Sequence, residues 1–121
     1  MTSYRPQYHT APTRRKVKPE TEWLHFVRQR LRLAFGPHCR LVKIMGGLGQ
    51  ELGIADLIGC IQGRAVAIEL KTPGGRHKLS PQQTDFLASW SAAGGIAVVI
   101  DSPESLEGFV GHFKEIQGRL F

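Results

Sequence analysis

Asp56, Glu69 and Lys71 are the side chains in this sequence whose types and spacing suit chemistry on an anionic oxygen. In Arg64-Ala65-Val66-Ala67-Ile68-Glu69-Leu70-Lys71, β-branched residues alternate with small ones, the pattern of a strand covered on both faces. Such a strand should stay apolar to its end, yet this one finishes in a carboxylate and an ammonium. Side chains alternate along a strand, so Glu69 and Lys71 point to one side and Leu70 to the other. Upstream, the apolar run Ile54–Ile61 contains one acid, Asp56, and Gln62-Gly63 links the two runs as a tight hairpin. Asp56 stands six residues before Gln62 and Glu69 six after Gly63, which puts both acids at the same end of the hairpin. Buried charges are costly unless paired or bound to metal. Two carboxylates beside a lysine suit a hard divalent cation, with the lysine free to hold a water or an anionic oxygen.

The order Gly53-Ile54-Ala55-Asp56, Glu69-Leu70-Lys71-Thr72-Pro73, Gly75, then Leu79-Ser80-Pro81-Gln82-Gln83 and Phe86-Leu87 resembles the core of the VRR-Nuc branch of the PD-(D/E)XK nucleases, over residues 20–101. A lone D…ExK arises by chance; the ordered set, with its G-x-x-D start and S-x-x-Q-x-x-F-L continuation, is more specific. Ala55 stands where the superfamily's name has proline, a position that shapes backbone rather than chemistry. The resemblance implies an α/β restriction-endonuclease-like core and Mg²⁺- or Mn²⁺-dependent hydrolysis of DNA phosphodiesters. It places Asp56, Glu69 and the Leu70 carbonyl on the metal, Lys71 on the attacking water, and Gln83 near Lys71, with Gln82 as the alternative by register. It also implies a catalytic contribution from an acid on the first helix. Stand-alone relatives of this type imply a homodimer acting on branched DNA such as Holliday junctions. Action on flaps or linear ends, and a non-cutting nucleic-acid-binding module of the same fold, are the competing expectations.

Composition sets the frame for this chemistry. A chain of 121 residues with 41% hydrophobic residues has enough material for one domain and too little for two. No apolar run is long enough to cross a bilayer, and the start of the chain lacks a secretory apolar stretch, so a cytoplasmic setting is expected, in a bacterium or a phage-infected host. Cys39 and Cys60 lack metal-site spacing and read as buried free thiols. Of the formal +6 charge, +5 falls in residues 1–19, on Arg5, Arg14, Arg15, Lys16 and Lys18. Residues 1–18 therefore read as a basic, disordered arm ahead of a domain over 19–121. Arg14, Arg15, Lys16 and Lys18 are candidate contacts to a DNA backbone, against the simpler reading of a solubilising tail.

The elements that must position the site follow in order. Pro19 opens a helix whose face is Trp23, Leu24, Val27, Leu31 and Ala34, with Glu20 on that stripe, Glu22 rotated off it, and Arg28, Arg30 and Arg32 on a solvated side open to phosphate contacts. Glu20 is thus the first-helix acid expected to reach the site, with Glu22 as the alternative by register. Gly36-Pro37 ends the helix, and Cys39–Met45 reads as a strand. The glycine-rich stretch 46–53 lacks the lysine of a phosphate-cradling P-loop and reads as a flexible loop. After the hairpin, 72–78 is a basic loop in which Arg76 and Lys78 are candidate phosphate contacts. Ser80-Pro81 starts a helix burying Phe86, Leu87 and Trp90, with Gln83 directed inward. Ile96–Ile100 reads as a central strand, and Asp101 caps a last helix. The order αβββαβα predicts a mixed four-stranded sheet flanked by helices.

Overall fold

The structure is a computed structural model that describes Ser3, Tyr4 and residues 17–46, 51–75 and 78–120, with side chains of the last helix described through Lys114. The first helix, α1 (Pro19–Phe35), begins on its proline, with Glu20 and Glu22 in the first turn and Arg32 in the last, each charge on the side the helix dipole favours. Gly36, at φ 53°, returns its N–H to the Arg32 carbonyl and ends the helix. Strand β1 (Cys39–Lys43) follows a short 3₁₀ turn, then β2 (Leu57–Ile61), β3 (Arg64–Leu70), α2 (Pro81–Ala92), β4 (Ile96–Ile100) and α3 (Pro103–Leu120).

The sheet order is β1-β2-β3-β4, antiparallel across the first two pairings and parallel between β3 and β4. It is the predicted mixed four-stranded α/β sheet with flanking helices. Gln62 and Gly63 close the β2–β3 hairpin at φ 50° and 79°, both left-handed, the geometry that lets a two-residue turn follow the twist of its strands. Helix α2 supplies the crossover between the parallel pair.

One face of the sheet holds the core. Trp23, Val27, Leu31 and Phe35 recur every four residues along α1 and pack with Leu106, Phe109, Val110 and Phe113 of α3 over Leu57, Ile61, Val66, Ile68 and Ile100. Leu24 and Ala34, read as part of the α1 face, sit at its margin, and Phe35 takes the inward place. Ala67 and Glu69 alternate onto the other face of β3, the side from which Lys71, just beyond the strand, reaches Gln83 of α2.

Several expectations give way here. Strand β1 stops at Lys43, two residues short of the predicted end, with one further backbone bond from the Ile44 N–H to the Asp56 carbonyl continuing its antiparallel register. Strand β4 lies at the sheet edge, not its centre: α2 and α3 both pack on it, and cover from two sides produces the same continuous apolar run as a central position. Phe86, Leu87 and Trp90 are only half-buried, and α2 has no fully buried residue. Cys60 is exposed and Cys39 half-buried, since the face of β2 that carries Cys60 lies opposite the helical core layer. The cap of α3 is Ser102, whose hydroxyl accepts from the Ser105 N–H at 3.0 Å, while the Asp101 backbone donates to the Ser105 hydroxyl.

Candidate active site

The β2–β3 register pairs Leu57 with Ile68, so one step outward Asp56 stands across from Glu69, as the count from the turn predicts. Asp56 is held by backbone on both sides. Its Oδ2 accepts the Leu70 N–H at 2.8 Å, and its carbonyl accepts the Ile44 N–H at 2.8 Å. Those bonds tie it to the outer end of β3 and to the end of β1. The carboxylate remains 31% exposed, with Lys43 Nζ 3.5 Å from Oδ1. Sequence reading missed Lys43 as a site residue. No local sequence signal marks it: it reaches the site because β1 returns beside β2 and pairs Lys43 with Leu57, the neighbour of Asp56.

Glu69 is 2% exposed, and its Oε2 is buried with no hydrogen-bond partner. Burial pushes its carboxyl up to about 8, the hydrogen-bonded and negatively charged Asp56 adds to the rise, and Lys71 and Lys43 oppose it. Two adjacent carboxylates cannot both ionise cheaply, so the pair holds a proton unless a cation replaces it.

Lys71 continues β3, its N–H bonded to the Ile100 carbonyl at 3.1 Å, the same oxygen that accepts Trp23 Nε1 at 3.2 Å. Its ammonium donates to Gln83 Oε1 at 3.3 Å. That oxygen also accepts the Ser80 N–H at 2.9 Å, while the Ser80 hydroxyl accepts the Gln83 N–H at 3.1 Å. Ser80 and Gln83 thus form a capping box, a signature spaced S-x-x-Q in the sequence, and its glutamine is the residue that reaches Lys71. Gly53, at φ 81°, lies so close to α2 that a Cβ would run into the Gln82 carbonyl and sit 2.7 Å from the Gln83 nitrogen. The glycine three residues before Asp56 therefore lets the acidic loop dock on the helix start that holds the lysine.

Glu20, Thr21, Trp23 and Leu24 of α1 line a cleft of about 190 Å³ with Lys43, Asp56, Leu70 and Thr72. Glu20 thereby shares an opening with Asp56 and Leu70, whereas Glu22 does not line it. Glu69, Lys71 and Gln83 lie outside this lining, so the predicted catalytic set divides into an open side at Asp56 and a covered side under α2. Among the described residues, no group of three or more His, Cys, Asp and Glu is close enough to hold an ion. Asp56, Glu69 and the Leu70 backbone lie together at this strand end. Lys18, just before α1, and Lys78, before α2, are exposed; Arg14, Arg15, Lys16 and Arg76 lie outside the described residues. Tyr4 packs edge-on against Trp23, ring centroids 4.9 Å apart, so this residue of the arm rests on α1. Among the described residues, no helix is long and apolar enough to cross a membrane.

No protein-family model matches the chain, and no curated protein matches its sequence. Among solved structures, one described as a VRR_NUC domain protein superposes with a TM-score of 0.57 at 18% identity, covering 76% of this chain and 84% of that one. At that identity the likeness shows the fold alone: the chain has the α/β architecture of a VRR_NUC domain protein, the fold expected from the ordered set of motifs.

Proposed function

We propose that this protein is a metal-dependent DNA endonuclease that hydrolyses phosphodiester bonds. The observation that carries this reading is the buried, partnerless Glu69 oxygen beside Asp56 at the strand end from which Lys71 projects. A carboxylate pair that must otherwise hold a proton fits a hard dication. Magnesium in particular is held by one or two carboxylates, with waters and substrate phosphate completing its shell. Asp56 and Glu69 would hold Mg²⁺ or Mn²⁺, with the Leu70 carbonyl as a further oxygen. The ion supplies Lewis-acid polarisation of the scissile phosphate and a lowered pKa for water. Lys71 orients the attacking water and stabilises charge developing on the phosphate, and Gln83 fixes the ammonium for that task. Glu20, on the shared cleft, is the first-helix acid that assists.

The substrate in this reading is branched DNA such as a Holliday junction, cut by a homodimer. The two-fold symmetry of a homodimer supplies two matching sites, one for each strand cut at a junction. Incubating wild type and Lys71→Ala with junction, flap, nicked and linear DNA across a Mg²⁺ or Mn²⁺ titration tests both levels. Metal-dependent cutting that falls at least ~10²-fold in Lys71→Ala supports the assignment. Metal-dependent binding without cutting makes the protein a recognition module, and cutting that ignores Lys71→Ala removes that residue from the mechanism.

A further inference from the structure

A second pocket lies farther along the seam between α1 and β1. Arg28, Leu31 and Arg32 line it from the helix and Cys39, Arg40 and Leu41 from the strand, around a volume of about 130 Å³. Arg28 Nη2 and Arg40 Nη1 both donate to the Leu41 carbonyl, each at 3.3 Å. Two guanidinium groups from different elements thus converge on one neutral oxygen. Arg30, on the same helix, takes a different course. It makes a two-pronged ion pair with Glu107 at 2.7 Å, whereas among the described residues no carboxylate pairs with Arg28, Arg32 or Arg40. Burial raises the Cys39 thiol pKa, against the pull of Arg32 and Arg28, so no negative charge arises there at neutral pH.

We propose that this pocket binds a backbone phosphate of the DNA strand whose scissile phosphate lies at Asp56, an assignment that rests on the nuclease reading. Converging guanidinium groups lacking an acid match the two-pronged recognition of a phosphate. The placement is consistent. The helix runs from Glu20 at the first cleft to Arg28 here, about 12 Å along its axis. The antiparallel return of β1 runs from Arg40 here to Lys43 at the cleft, about 10 Å. A strand of DNA carries a phosphate every ~3.4 Å of rise, so the two pockets lie about three phosphates apart along the α1–β1 seam.

The test compares binding of a DNA duplex by wild type, Arg28→Gln/Arg40→Gln and Arg30→Gln, without divalent metal, across a salt series. Loss of the pocket should weaken binding about tenfold and reduce the slope of log affinity against log salt by about 0.9, one phosphate's worth. Arg30→Gln removes one positive charge from the same helix, outside the pocket, and should leave the slope unchanged. In Cys60→Ser, where Cys39 is the remaining thiol, the duplex should slow alkylation of Cys39 several-fold, a readout that requires no arginine substitution. If wild type cuts and binds DNA while the paired substitution leaves the slope intact, or Cys39 gains no protection, the pocket is an ordinary solvated basic face and this inference falls alone. If wild type neither binds nor cuts DNA, the nuclease reading falls with it.

Discussion

The two tryptophans mark two sides of the sheet that do different work. Trp23, 1% exposed, lies in the α1–α3 layer, and its indole N–H is spent on the Ile100 carbonyl. Trp90, on α2, is half-buried, stacks on Phe86 at 5.8 Å, and keeps a buried Nε1 with no partner. The first layer has an apolar core and, among the described residues, no buried side-chain nitrogen or oxygen without a partner. The other has no fully buried helical residue, yet it covers Glu69 and holds Lys71 through Gln83. The sheet thus places stability on one face and costly polar groups on the other, where a thinner apolar layer leaves room for them.

The largest effect should therefore come from the α1–α3 side. Trp23→Ala empties a closed site and should cost about 3–5 kcal/mol in urea unfolding. Trp90→Phe removes a donor that has no acceptor and should leave stability within about 0.5 kcal/mol, or raise it. Equal losses from the two would erase the contrast between the faces.

The next effect separates the faces by pH. The folded Glu69 carboxyl titrates near 8 against an ordinary 4.5, so the folded chain holds that proton more tightly than the unfolded chain does. Its contribution is complete below about pH 4.5 and declines as pH rises through about 8, at a slope of up to ~1.4 kcal/mol per pH unit. Thermal unfolding in EDTA should show wild type losing stability across that window, while Glu69→Gln, which has no proton to lose there, stays flatter. Millimolar Mn²⁺ at pH 8 should restore wild type and do little for Glu69→Gln. Parallel pH profiles for the two proteins would separate Glu69 from the proton bookkeeping of the site.

Most of the candidate site's geometry was legible because its logic is local. Strand parity put Glu69 and Lys71 on one side, and symmetric counting about Gln62-Gly63 set Asp56 opposite Glu69. Alternation also carried the helical core, since Trp23, Val27 and Leu31 repeat at helical spacing. What escaped depends on contacts between distant segments. Lys43 reaches Asp56 only because β1 returns beside β2, and nothing in its own neighbourhood announces that. The edge position of β4 was hidden for a related reason: apolar cover by α2 and α3 reads the same as cover by flanking strands. Arg28 and Arg30 look alike in sequence, and only the packing of α3 gives Glu107 to one and not the other.

The smallest effect is also the sharpest, because the start of α2 combines both roles in one residue. Gln83 Oε1 closes the capping box with Ser80 and takes the Lys71 ammonium, so its loss removes a helix cap and a tether together. Ser80→Ala removes the hydroxyl that caps Gln83 N–H but leaves the glutamine side chain in place. Each substitution should cost about 1 kcal/mol of stability. They should part in cleavage: Ser80→Ala near wild type below its melting range, Gln83→Ala slowed with kcat reduced more than KM, since a loose Lys71 binds DNA as a charge but no longer holds its place in the transition state. If both variants cut at the same rate, the Lys71–Gln83 bond at 3.3 Å is a by-product of capping, and the α2 face positions nothing through it.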